Sequence, residues 1–423
     1  MSLTKGKVHL GRFPKRWGYV ATLLLAVDLP RCLLASSGDR SWDFQACLQH
    51  CRTTGCTALL YSSSSRQPSQ TCPDACNQFE QRVADHMSGS VRKESVSGGG
   101  DKISRLGGTQ DALPQPMPLP LRVFRWSCED DCKYHCMWAV EAWKSSANGN
   151  EGRFMTEKYY GKWPFLRVLG MQELASVLAS LANLLAHALC LRRLSAEVHA
   201  TLRLGSHPGG SGSCDRKPPV PIIPTNPSYG RSSYPFLWLW TTYGILHMNA
   251  WFWSAIFHSR DTRWTERLDY VSAISLIAFG LFAAIVRMVW APGHRRHLLV
   301  AVTAVAVAAG LAAHLYYMLY IKFDYGWNMR VCVAVGVATA GLWLGWCAWT
   351  RHPARWRMYT FLSFVHLSML LEVLDFPPLG GLLDAHAAWH VATVALTPLF
   401  YSWLHADVQA AAAPEADLKR KDT

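Results

Sequence analysis

Acidic residues are scarce in this chain: 29 Asp and Glu stand against 42 Lys and Arg in 423 residues, a formal net charge of +13. That scarcity excludes an acidic, solvating disordered chain. No internal repeat recurs along the sequence, which removes solenoid and propeller architectures. An Asn-x-Ser/Thr acceptor for N-linked glycan is also missing, because Asn226 is followed by Pro227. What is present is apolar: half of the residues are hydrophobic, 19 are Trp, and the mean hydropathy of +0.05 averages two unlike halves.

The first 165 residues are mostly polar and rich in cysteine, whereas 166–404 are dominated by apolar stretches. A helix crossing a hydrocarbon core takes about 20 residues, and seven stretches approach that length: 166–191, 234–257, 270–290, 298–321, 331–349, 359–374 and 384–404. Glu372, His386, His390 and Pro398 lower the hydropathy of the last two, which admits a shorter or broken helix there. The pattern predicts an all-α polytopic membrane protein, a bundle of seven transmembrane helices carrying a small disulfide-rich N-terminal domain. A basic chain could in principle read nucleic acid, but the charges follow a membrane pattern instead. Fifteen basic residues fall in alternate connections, including Arg192, Arg193, Arg216, Lys217, Arg295, Arg296, Arg351, Arg355 and Lys419 to Lys421. The opposite connections hold five: Arg260, Arg263, Arg267, Lys322 and Arg330. The positive-inside rule then puts the C-terminus in the cytosol and the N-terminal domain in the lumen.

Residues 1–35 read as an export signal, with Lys5, Lys7, Arg12, Lys15 and Arg16 ahead of the apolar run Tyr19 to Val27. Small residues near Ala35 suit cleavage, and retention as a signal anchor is the alternative. The cysteines agree with an exported domain at 36–165. Cys47, Cys51, Cys56, Cys72, Cys76, Cys128, Cys132 and Cys136 form an even set of eight, for which four disulfides are expected. The rival reading is a zinc site at Cys128-x3-Cys132-x3-Cys136. Ser/Gly- and Pro-rich composition marks a disordered insertion at about 88–120, with Gln115 to Pro120 extended, and a second one on the cytosolic side at about 205–233. The cytosolic tail, 405–423, ends in Lys419-Arg-Lys421-Asp-Thr423, similar to a dilysine retrieval signal; a soluble basic tail is the plain alternative.

Polar groups at bilayer depth are costly unless they face a bundle interior or a watery cavity, so they carry a functional hypothesis. Ser254 and His258 are one helical turn apart, and His386 and His390 repeat that spacing on the last segment. Two imidazoles one turn apart can close on a single cation, and a third from another helix leaves a fourth position for water, the arrangement of catalytic zinc. With a cytosolic C-terminus, His258, Asp269 and His386 all fall at the lumenal ends of their segments. His247 and His314, nearer mid-helix, fail that test. Each residue also has a plain reading: interhelical hydrogen bonding for a lone His or Ser, and helix capping for Asp269.

Asn249-Ala-Trp-Phe-Trp-Ser254-Ala-Ile-Phe-His258-Ser-Arg260-Asp261-Thr262, followed by Asp269, resembles the signature of the post-GPI-attachment phospholipase A2 family. Asp375-Phe-Pro-Pro378 with Leu383-Asp-Ala-His386-Ala-Ala-Trp-His390 is similar to its closing motif. Gly161-Lys-Trp-Pro-Phe165, Phe323-Asp-Tyr-Gly326 and the cysteine spacings match as well. The family looks like part of a wider group of seven-helix metal hydrolases that includes alkaline ceramidases and adiponectin-type receptors. The resemblance implies that His258, His386 and His390 hold Zn2+, that Asp269 is the base for water, and that Ser254 orients the water or steadies the oxyanion. It also implies a GPI-remodelling enzyme of endoplasmic reticulum or Golgi membranes, removing the sn-2 acyl chain from GPI-anchored proteins. Arg260, Arg263, Arg267 and Lys322 lie on the side where they could meet a substrate phosphate. A ceramidase-like amide hydrolase and a non-enzymatic receptor or cargo chaperone are the competing readings. Cys72, Cys76 and the first cytosolic connection depart from the family pattern.

Overall fold

The computed structural model describes residues 36–53, 117–147, 156–204, 234–289 and 297–412. The expected signal at 1–35, both insertions for the most part, the end of the tail, and Cys56, Cys72 and Cys76 lie outside the described residues.

The N-terminal part is small and helical: α1 (Ser37–Arg40), α2 (Trp42–Cys51), α3 (Leu119–Val123) and α4 (Cys128–Ala147). Ser41 caps α2, its Oγ accepting from the Phe44 N–H at 3.3 Å. Cysteines four apart on α2 meet cysteines four apart on α4, giving Cys47–Cys136 and Cys51–Cys132 between antiparallel helices. Spacing of that kind puts both thiols on one face of each helix. Cys132 and Cys136 are thereby consumed by α2, and Cys128 is disulfide-bonded too. In the chain-entropy view the first bridge to close, across some 80 to 90 residues, contributes about 4–5 kcal/mol, and the second, nested in it, much less. Phe44, Leu48, Val140 and Tyr159 bury themselves around the sulfurs. Of the stretch expected to be extended, 115–120, Gln115 and Pro116 lie outside the described residues, Pro118 is extended at φ -50° and ψ 144°, and Leu119 and Pro120 instead open α3, where Pro120 in the first turn needs no N–H partner.

Seven long helices follow among the described residues: α5 (Leu174–Leu204), α6 (Leu237–Ser259), α7 (Arg263–Val289), α8 (His297–Tyr316), α9 (Tyr325–Trp349), α10 (Arg355–Leu374) and α11 (Ala385–Ala412). A π-helical turn, Tyr317–Ile321, extends α8. Among the described residues four stretches are long and apolar enough to cross a membrane: Leu174–Ala200, Arg263–Val289, His297–Ile321 and Tyr325–Trp349. The chain is thus a multi-pass membrane protein. Helices α6, α10 and α11 are diluted by Trp, Tyr and His, and two of them carry the candidate histidines. Around the bundle, α5 packs on α6, α6 on α7, α7 on α9, α9 on α10, α10 on α11 and α11 back on α5, with α8 against the outside of α7.

The first apolar stretch does not begin as helix. Residues 166–173 form a turn in which Gly170 has φ +81° and a Cβ would stand 2.7 Å from the Pro120 carbonyl oxygen. Only glycine fits there. In contrast, α7 starts at Arg263, earlier than the apolar stretch at 270, because Thr262 and Thr265 cap it with reciprocal bonds. Asp269 therefore stands inside α7 and does not cap it.

Apolar side chains gain little by leaving lipid for protein, so packing and interhelical polar contacts hold such a bundle together. At one end the apolar core gathers Leu194, Trp240, Val286, Trp343, Met358 and Trp403 from six helices. Beside it Asp407, fully buried, accepts from Arg287 Nη2 at 2.6 Å and Nε at 3.1 Å, from His352 Nε2 at 3.1 Å and from the Tyr234 hydroxyl. The Arg287 guanidinium lies over Phe236 and Trp346, 4.6 Å from each ring centre. The other end of the bundle carries the candidate histidines.

Candidate metal centre

Three imidazoles from two helices converge. His258 ends α6, and His386 and His390 occupy the first two turns of α11. Asp384 caps α11, accepting from the Ala387 N–H at 2.8 Å, which positions the His386 turn. His386 Nε2 stands 3.3 Å from His258 Nε2 and 2.9 Å from His390 Nε2. The ring nitrogens that the three offer all lie within 4.8 Å of one another.

Each ring is held by its other nitrogen. His258 Nδ1 faces Glu173 Oε2 at 2.6 Å, His386 Nδ1 faces Glu372 Oε1 at 2.5 Å, and His390 Nδ1 faces Ser180 Oγ at 3.0 Å. Carboxylates only accept, so they fix the Nδ1–H tautomer of His258 and His386 and turn the Nε2 lone pairs inward. Lone pairs facing one another repel unless a cation or proton lies between them. Two nitrogens on one tetrahedral zinc stand about 3.3 Å apart, close to the spacing here, and carboxylate-braced imidazole is the usual outer support of a metal-binding histidine. His258, His386 and His390 therefore fit a zinc ion by donor type, direction and separation. His258 and His390 are each 2 % exposed, whereas His386 is half-buried and provides the open side.

Backbone bonds lock these positions. The Glu173 N–H donates to the His258 carbonyl at 3.0 Å, and the Gln172 N–H to the Ser259 carbonyl at 3.0 Å, so the start of α5 is stitched to the end of α6. Asn183 Nδ2 donates to the His390 carbonyl at 2.9 Å. Lys162, from the segment before α5, reaches Glu173 Oε1 at 2.6 Å and Asp261 at 3.0 Å. Burial would raise the Glu173 carboxyl, but Lys162 and His258 beside it hold it well below the usual carboxylate range. Burial would likewise lower Lys162, and the Glu173 and Asp261 carboxylates overcome it and raise the ammonium instead.

The other sequence candidates fall in several places. Ser254 is buried and bonds Ser180 at 3.0 Å, so it joins His390 through a second serine. Asp269 lies within Coulombic reach of His386, Lys162 and Glu173. Arg260 is engaged with the N-terminal domain: Nη2 meets Asp130 at 2.7 Å and the guanidinium lies 4.0 Å from the centre of the Trp126 ring. Lys322 pairs with Asp324 at 2.9 Å on the surface. Arg263 is exposed and Arg267 half-buried. His247 stacks on His187 at 4.0 Å and His314 bonds Asn328 at 3.1 Å, away from the three converging rings. Sequence reasoning missed Glu173, Glu372, Ser180 and Lys162. Glu372, a lone carboxylate in an apolar stretch, carried a readable signal.

No solved structure matches the chain. It is 33% identical over 386 residues to post-GPI attachment to proteins factor 3 of Drosophila melanogaster, covering 90% of this chain and 92% of that one. It is 35% identical over 303 residues to the GPI-specific phospholipase A2-like PGAP3 of Danio rerio, covering 71% and 82%. The PER1 homolog of Schizosaccharomyces pombe is 33% identical over 299 residues, covering 68% and 77%. The model of the Per1-like family matches residues 118–408, a span that begins at α3 and takes in all three histidines and the acceptors that brace them. With the match covering most of its length, the chain belongs to the Per1-like family.

Proposed function

We propose that this protein is a zinc-dependent acyl-ester hydrolase that removes the sn-2 acyl chain from the lipid of GPI-anchored proteins. The observation that carries the reading is the convergence of His258, His386 and His390 with Nδ1 braced from outside and Nε2 turned inward. Relatives named for post-GPI attachment and for GPI-specific phospholipase A2-like character supply the substrate class. A zinc ion held there would polarise the ester carbonyl and bring the pKa of a water to about 7.

The chain's own groups do the rest. Glu173, Glu372 and Ser180 hold the rings in register. Asp269 takes the proton of the attacking water as its oxygen bonds to the acyl carbon, and returns it to the sn-2 oxygen as the ester C–O bond breaks. The products are a free fatty acid and a lyso-lipid that keeps the protein-bearing glycan. Ser254, backed by Ser180, steadies the developing oxyanion. Arg263 and Arg267 remain free of ion pairs among the described residues and meet the inositol phosphate.

Disulfides at the histidine end and basic connections at the other support a lumenal N-terminal domain and residence in endoplasmic reticulum or Golgi membranes. The test is incubation of purified protein with GPI lipid and, separately, with ceramide. Fatty acid released from GPI lipid, and lost in a His386→Ala variant, is expected. Release from ceramide alone would replace this reading with an amidase.

A further inference from the structure

The family match begins inside the disulfide-bonded domain, and one strand of contacts runs from that domain to the histidines. Tyr159 packs on Phe44 at 5.0 Å, next to Cys47 and Cys51, and donates to Glu141 on α4 at 2.7 Å. The Tyr159 N–H donates to the Lys162 carbonyl at 2.7 Å and the Lys162 N–H to the Tyr159 carbonyl at 3.0 Å, closing a tight turn through Tyr160 and Gly161. Both turn residues have positive φ, 51° and 83°, a conformation in which Gly161 is at ease. The turn is bolted to the domain on its other side, since the Gly38 N–H donates to the Lys158 carbonyl at 3.1 Å.

From this turn Lys162 projects into the end of the bundle. Its Nζ reaches Glu173 Oε1 at 2.6 Å while Glu173 Oε2 faces His258 Nδ1 at 2.6 Å. The same ammonium lies 4.3 Å from the centre of the Phe257 ring, the neighbour of His258, and 3.0 Å from Asp261 three residues beyond. Lys162 thus reaches His258 through its neighbours, the Glu173 carboxylate on one side and Phe257 and Asp261 on the other, and not through the ring itself. Resting on the metal reading above, we propose that Lys162 is a positioning residue through which the disulfide-bonded domain sets the geometry, and hence the ion affinity, of the histidine centre. A carboxylate shared between a fixed ammonium and an imidazole has one rotamer. Without the ammonium it has several, and His258 loses its aim.

The test measures zinc affinity of the full-length protein in detergent by competition with a chromophoric chelator, for wild type, Lys162→Met, Glu173→Gln and the double variant. Lys162→Met is expected to weaken zinc binding about 10–100-fold, the usual loss when an outer support is removed. The double variant should be no weaker than Glu173→Gln, because both changes cut one chain. Replacing Cys47, Cys51, Cys132 and Cys136 by Ser, which removes both bridges without freeing their thiols, should weaken zinc binding and add nothing on top of Lys162→Met. A size-exclusion profile unchanged by the substitution establishes that folding is kept, and Asp261→Asn, which leaves the Glu173 contact in place, should give a smaller loss. Equal affinity of wild type and Lys162→Met, or losses that add in the double variant, would overturn the positioning role while leaving the metal centre standing. Wild type that takes up no zinc would overturn the metal reading and this inference together.

Discussion

Both ends of the bundle bury histidine beside carboxylate, yet they close their hydrogen bonds in opposite senses. At the Asp407 end every strand of polarity runs inward to one acceptor: Arg287, His352 and Tyr234 all donate to the same carboxylate, and Trp240 Nε1 donates to the Tyr234 oxygen at 2.9 Å. Both oxygens of Asp407 are filled there, in a site walled by Trp343, Trp346 and Trp403. At the histidine end the carboxylates stand outside and the His258 and His386 rings turn their acceptors inward, toward each other and His390. The first arrangement is satisfied as folded. The second gathers imidazole nitrogens with no carboxylate at its centre, and on the function proposed above the same residue types make a clamp at one end and a cation site at the other.

That contrast can be broken by exchange of single side chains. The largest effect is expected for His390→Ala: several kcal/mol of carbonyl polarisation would disappear with the ion, so release of fatty acid should fall about 1,000-fold, with a smaller loss of thermal stability than Asp407→Ala gives. Radiolabelled GPI lipid and elemental analysis on one sample check both halves. Asp407→Ala should do the reverse. Leaving Arg287 buried without its partner costs about 3–5 kcal/mol, seen as an early thermal transition in detergent, while zinc per folded molecule stays at the wild-type level. Equal loss of zinc in both variants would mean that the two ends are one cooperative unit.

Smaller changes sharpen the comparison. Glu372→Gln keeps the shape of the brace on His386 but removes its charge, and a loss of about 10–100-fold in zinc affinity is expected with little change in melting. The smallest effect belongs to Arg263→Ala with Arg267→Ala, exposed or half-exposed charges proposed above to meet the substrate phosphate. A rise in KM of roughly threefold, diminishing at high salt, is the expected outcome, and a salt-independent KM would remove them from substrate binding.

Much of the histidine end was legible. Two turns of helix separate neither Ser254 from His258 nor His386 from His390 by more than one step, and intramembrane polarity at matched depth singles those residues out. Less visible was what braces them. Glu173 lies inside the apolar stretch 166–191, and nothing local marks it as a support for His258 until the start of α5 is seen bonded to the end of α6. Arg260 read as a candidate for the substrate phosphate, or as solvated or paired with a nearby acid, because Asp130, its actual partner, is 130 residues away in sequence. The turn at 166–173 was hidden by its own hydropathy, since Leu166, Val168 and Leu169 count as apolar whether or not the backbone is helical.

Local chemistry, then, was the sequence's to decide: which stretches are apolar enough for a bilayer, which helix faces carry imidazole, and which thiols stand one turn apart. Those properties depend on neighbours within four residues or on composition averaged over a span, and both survive in one dimension. Tertiary structure alone decided the pairing of Cys47 with Cys136 and Cys51 with Cys132, the convergence of α6 and α11, and the hold of Lys162 on Glu173. Each joins groups whose distance is set by how whole helices pack, and no periodicity along the chain records that.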